Sequence, residues 1–202
     1  SDGFQTVDRF RVDKSGTSQL AYTQSQATDA PDGFTTSLKV TVNTVEDTLA
    51  AGGLLRIRHY IEAQDLQHLN YGTSSAQTIT FSFHVKSSVT GNYAFYTYQG
   101  DDARIIGTTY TINSANTWEK KTITFIGDTT GVIDNDNGTG FELGFILSAG
   151  STWTSGDNTS YAGFANGLLA TGQVADIAST GSATFYITGV QLEVGSVATP
   201  FE

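Results

Sequence analysis

The stretch "TITFSFHVKS", residues 78–87, decides the fold. Ile79, Phe81, Phe83 and Val85 alternate with Thr80, Ser82, His84 and Lys86. Successive side chains of a strand point to opposite faces, so a period of two puts the first row on a core and the second in water. The rhythm recurs on both sides of this stretch. "SLKVTVN" (37–43) sets Leu38, Val40 and Val42 against Lys39 and Thr41. "KKTITFIG" (120–127) carries Ile123 and Phe125, and "FELGFILSAG" (141–150) carries Phe141, Leu143, Phe145 and Leu147. Phe81, Phe83, Ile123, Phe125, Leu143 and Phe145 are therefore the expected centre of the core.

Turn residues separate these runs. "APDG" (30–33) places Pro31 where a type I turn wants its fixed φ and Gly33 where the chain leaves the turn. "VTGNY" (89–93) is a tight connection of the kind Gly and Asn make without strain. Turn clusters at this spacing describe roughly ten strands, hence an all-β fold, an antiparallel β-sandwich of jelly-roll type. The one helical candidate is "EAQDLQHLNYG" (62–72), where Leu66 and Leu69 share a face and Gly72 is placed to end it. It is expected as a single turn across one rim. No repeat or linker divides the chain, so residues 1–202 read as one β-sandwich domain.

Composition narrows the partners. The net charge of −10 repels nucleic acid and anionic lipid, and no apolar run reaches the length of a membrane helix. Without cysteine there is no disulfide, thiolate nucleophile or thiolate metal site. The chain also lacks methionine and starts at Ser1, which reads as a trimmed fragment of a longer protein.

Candidate chemistry is sparse. "IDNDNGTG" (133–140) echoes the start of a calcium loop through Asp134, Asp136 and Gly138, but flanking helices and a fitting later ligand are missing. It reads as a polar turn, and no metal or cofactor is expected. Glu62, Glu119, Glu142 and Glu193 lie on expected strands without naming a glycosidase pair. His59, His68 and His84 have no serine in a nucleophile elbow to serve. The expectation is a protein without enzymatic activity. The sequons at Asn137 and Asn158 matter only in a eukaryotic secretory pathway.

Outward aromatic and basic residues are more informative. In "LLRIRHYIE" (54–62) the alternation leaves Arg56, Arg58, Tyr60 and Glu62 on the outer face, and in "NYAFYTYQ" (92–99) it sets Tyr96 and Tyr98 against Tyr93 and Phe95. Flat rings stack on the apolar faces of sugars, while Arg and Glu fix hydroxyls by paired hydrogen bonds. Arg56, Arg58, Tyr60, Tyr96, Tyr98 and the loop residue Trp153 are the candidate ligand-binding set. The same face could instead pack on a neighbouring subunit, and both readings stay open at this point.

Three segments carry a resemblance: "LQHLNYGTSSAQTITFSFHVKS" (66–87), "YTINSANTWEKKTITFIGDTTGVIDNDNGTGFEL" (110–143) and "ITGVQLEVGSVATPFE" (187–202). They resemble a module of tailed-bacteriophage virion proteins, tail fibres in particular, over about Asp8 to Glu202. That module often continues past "TPFE", so Glu202 reads as a seam. The layout also resembles the jelly-roll carbohydrate-binding modules of polysaccharide-degrading enzymes. Many of these hold a structural calcium with an Asp pair near the last strand, where this chain has Thr188 and Gly189, and His84 stands where an aromatic such as Trp is expected. The resemblance implies a virion role and a jelly roll and does not identify a ligand; the reading taken is a homo-oligomeric domain among other virion subunits that attaches to host cell-surface glycan. Against this stand a purely structural decoration or subunit-contact module and, third, a polysaccharide-degrading enzyme or its accessory module.

Overall fold

A computed structural model describes residues 9–202; the first eight residues of the expected domain lie outside the described residues. Eleven strands form two antiparallel sheets. They are β1 (Phe10–Ser15), β2 (Ala21–Ala27), β3 (Ser37–Thr44), β4 (Leu54–Glu62), β5 (Ile79–Ser87), β6 (Gly91–Gln99), β7 (Arg104–Ile112), β8 (Glu119–Phe125), β9 (Thr139–Ala149), β10 (Ala162–Gly163) and β11 (Thr184–Val194). One sheet has six strands in the order β1-β4-β9-β6-β7-β10, and the other has five in the order β2-β3-β11-β5-β8. The chain crosses repeatedly between them, the jelly-roll form of sandwich. The expected fold class is the observed one.

The core lies between the sheets. Phe81, Phe83, Ile123, Phe125, Leu143 and Phe145 are all buried there. The rings of Phe81, Phe83, Phe95 and Phe145 sit with centroids 4.9–5.9 Å apart, two of the four contacts edge to face, as aromatic quadrupoles prefer. Inward alternation on β5, β8 and β9 therefore reads correctly from sequence.

The outward rows differ from expectation. Thr80, Ser82 and Lys86 of β5 are buried, not solvated, because β5 is an interior strand, between β11 and β8, and side chains from neighbouring segments close over it. Thr80 donates to the Gly195 carbonyl at 2.7 Å, and the Lys86 ammonium pairs with Asp29 beneath the Trp118 and Tyr186 rings. On the six-stranded sheet the chain after β9 folds back over the outer face. Leu169 and Ala170 meet Leu54, Ala94, Tyr96, Ile105 and Ile146 in a second, smaller apolar cluster. This roof creates a third layer that alternation alone does not announce.

Two local readings shift. The 62–72 segment forms a 3-10 helix over Ala63–Leu69 that buries Ala63, Leu66 and Leu69 at spacing three, and the left-handed cap is Asn70, before Gly72. At 30–33, Phe34 N–H bonds the Pro31 carbonyl at 3.1 Å, so Gly33, with φ +89°, is the third residue of the turn. That glycine-requiring geometry belongs to a type II turn.

Candidate functional site

The outer face of β4, β9 and β6 carries the site. Tyr98 pairs with Glu142, and Glu142 with Tyr60, in one row across the three strands, about 10 Å from end to end. One turn of the pleat away, Tyr96 lies opposite Gly144. A Cβ on Gly144 would come within 1.9 Å of the Tyr96 ring, so only glycine lets that ring lie flat across β9.

Lying there, Tyr96 delivers its hydroxyl into a charged square. Arg56 Nη1 donates to the Tyr96 hydroxyl at 2.8 Å, and that hydroxyl donates to Glu142 Oε1 at 2.5 Å. Arg58 bonds Glu142 Oε2 at 2.9 Å and Asp13 Oδ1 at 2.8 Å, while Arg56 Nε reaches Asp13 Oδ2 at 3.3 Å. Arginine's planar fork suits such bridging between two carboxylates. Burial pushes the Tyr96 hydroxyl well above the ordinary tyrosine pKa. Tyr60, under the Arg58 guanidinium at 5.6 Å, is raised by burial and by the adjacent Glu142.

A cleft of about 280 Å³ opens beside the square, lined by Arg56, Glu142, Tyr98, Trp153, Phe164 and Asn166 among others. The roof supplies its aromatic wall. Phe164, 42% exposed, meets the Tyr98 ring edge-on at 5.5 Å. Trp153 is held by its indole N–H on the Gly52 carbonyl at 3.0 Å. The roof is itself anchored. β10 pairs with Arg104 and Ile105, Phe164 N–H bonds the Ala103 carbonyl at 2.7 Å, and Arg104 reaches the Tyr161 carbonyl at 3.2 Å. Arg104 also pairs with the buried Asp128 at 2.5 Å.

Four of the six candidate residues thus meet at one cleft: Arg56, Tyr96, Tyr98 and Trp153. Tyr96 needs a correction, because it is fully buried and presents its hydroxyl, not its ring face. Arg58 stands behind Glu142, and Tyr60 lines a neighbouring cleft of about 340 Å³ with Glu62, Asp65 and Asn137. Sequence reasoning missed Phe164, Asn166 and Asp13 as members of this site, and met Glu142 only as a possible catalytic acid. The signal it passed over is "YAGFANGLL" (161–169), aromatic and apolar residues in a glycine-rich loop following Trp153.

The other candidate groups are apart. Glu119 and Glu193 lie on the opposite sheet from Glu62 and Glu142. Glu193 accepts from Thr199. Partial burial opposes ionisation of Glu119, yet bonds from Lys121 and from the Ser114 and Asn113 amides bring its pKa down to about 2. His59 packs on Phe10 and His84 on Phe34, in different sheets, and His68 is exposed. In "DNDNG", Asp136 Oδ1 accepts the Gly138 amide at 2.8 Å, a side-chain-closed turn.

No protein family and no curated protein matches the chain in sequence. Among solved structures, the fold is similar to the enzymatically active domain of tailspike protein 4 of bacteriophage CBA120. The TM-score is 0.51 at 13% identity, covering 93% of this chain and 19% of that one. It is also similar to the family 11 carbohydrate-binding module of the Clostridium thermocellum cellulase Lic26A-Cel5E, at TM-score 0.49, 12% identity, and 98% and 94% coverage. The tandem CBM22 domains of Paenibacillus barcinonensis Xyn10C give 0.48, 14%, and 94% and 47%. The chain spans about a fifth of the tailspike chain and nearly all of the family 11 module. It is a jelly-roll β-sandwich similar in fold to a phage tailspike domain and to carbohydrate-binding modules.

Proposed function

We propose that this domain is a virion protein module of a tailed bacteriophage that attaches to host cell-surface glycan, by binding without chemistry. The observation that carries the reading is the cleft itself. Trp153, Tyr98 and Phe164 give ring surface for the apolar face of a sugar, and Arg56 and Glu142 stand beside them as donor and acceptor for its hydroxyls. The similarity in fold to a tailspike domain and the sequence resemblance to tail-fibre modules support a place on the phage tail or surface. A single shallow cleft of this size binds weakly, and several copies in a homo-oligomeric appendage would raise the avidity without new contacts.

The test is a glycan array followed by binding to host cell-wall extract, with wild type and Phe164→Ala side by side. Saturable binding that Phe164→Ala weakens at unchanged oligomer mass supports attachment. A change in mass by light scattering with no glycan bound would instead make this face a subunit contact. Release of reducing sugar from host polysaccharide would make the domain catalytic.

A further inference from the structure

We infer that the cleft selects neutral, hydroxyl-rich glycan over glycan carrying carboxylate groups, because its charged side chains cancel one another. The inference rests on the glycan reading above and names the class of ligand. Arg56 and Arg58 face Asp13 and Glu142 in a closed square of four contacts between 2.8 and 3.4 Å. Each of the four side chains is only 12–15% exposed, so solvent screens these pairs weakly. Among the described residues, Arg56 and Glu142 are the charged side chains that line the cleft, one of each sign.

A carboxylated sugar entering this site sheds its hydration and finds no unmatched cation in return. It also approaches a chain of net charge −10. A neutral sugar meets a different surface. Glu142 Oε1 already accepts from Tyr96 and Arg56, whereas Oε2 accepts from Arg58 and keeps a lone pair for a hydroxyl donor. Arg56 Nη2 makes no hydrogen bond among the described residues and is free to donate at the cleft. Donor and acceptor held side by side match two adjacent hydroxyls on a ring. The square is thus a recognition element that reads hydroxyls and discriminates against charge.

The experiment titrates neutral hexaoses of glucose, galactose and mannose, and the same hexaoses oxidised to the carboxylate at C6, against wild type by calorimetry. The expected result is at least tenfold tighter binding of a neutral hexaose than of its oxidised partner. Glu142→Gln leaves the square with one unmatched positive charge and should narrow that ratio at least tenfold. Asp13→Asn removes the same charge from outside the cleft lining, and serves if Glu142→Gln does not fold. Equal or tighter binding of the oxidised sugars by wild type overturns the inference and leaves the glycan reading standing. An unchanged ratio in the folded variants overturns it too. Binding of no hexaose of either kind overturns the glycan reading, and this inference with it.

Discussion

The two outer faces of the sandwich start from the same alternating pattern and finish differently. On the five-stranded sheet, side chains seal the surface themselves: the Lys86 ammonium lies 4.4 Å from the Tyr186 ring centroid and 5.3 Å from that of Trp118, tied to Asp29. Asp29 also accepts the Trp118 indole N–H at 3.0 Å. On the six-stranded sheet, chain from beyond β9 forms a roof, and a cleft remains where roof and sheet part. The cations are sorted accordingly. Arg56 and Arg58 bridge two carboxylates on the six-stranded side and Arg104 grips Asp128 there, while four of the five lysines, Lys39, Lys86, Lys120 and Lys121, lie on β3, β5 and β8, and Lys14 lies on β1. A guanidinium spans two acceptors in fixed geometry and builds networks, whereas an ammonium is a point charge that settles over a ring. A site forms where the network meets a roof.

The sharpest way to break this comparison is to detach the roof. Arg104→Met strands the buried Asp128 carboxylate and removes the tie to Tyr161, and breaking a buried pair from one side costs about 3–5 kcal/mol. Urea unfolding should show that loss, and hydrogen exchange should show the Phe164 amide opening more than the amides of β5. Uniform loss of protection across both sheets would mean that the roof is not a separable layer.

Next in size is the square. Tyr96→Phe keeps the ring in place and deletes the hydroxyl between Arg56 and Glu142, bonds to charged partners worth about 1.5–3 kcal/mol. On the opposite face, Lys86→Met should cost only about 0.5–1 kcal/mol, since Asp29 is half exposed and the cation-ring contact is modest. If the two substitutions shift the denaturation midpoint equally, the faces do not differ as described.

The smallest effect is a pH effect on the five-stranded side. Burial first, and then Lys120, lowers the pKa of His84 below its ordinary value near 6.5. The unfolded chain therefore binds a proton that the folded chain resists, so stability falls as pH drops from about 6.5. His84→Phe should flatten that part of the stability profile. An identical slope in the variant would show that His84 does not titrate against folding.

What was legible in the sequence follows from the range of the interactions. Phe81, Phe83, Ile123 and Phe125 announce themselves because a strand's inward row is set by near neighbours. The grouping of Arg56 with Tyr98 was partly legible, since both lie on outward rows of strands that flank β9. Tyr96 looked equally exposed, and only the approach of Leu169 and Ala170, more than seventy residues later, buries it. Asp13 was invisible for a similar reason: it reaches Arg56 and Arg58 through the β1–β4 pairing, which no local motif reveals. Phe164 sits in a loop whose position depends on a two-residue strand and a buried ion pair.

Trp153 offers the most direct test of the cleft as a glycan site, because the chain's other tryptophan, Trp118, immediately precedes β8 of the opposite sheet and packs on Tyr186 there. In a Trp118→Phe background, host cell-wall glycan should change Trp153 emission saturably, and Phe164→Ala should abolish most of that change while leaving the melting temperature within about 2 °C, as expected for an exposed ring. Emission that stays constant while the glycan binds would place the ligand elsewhere and contradict the account.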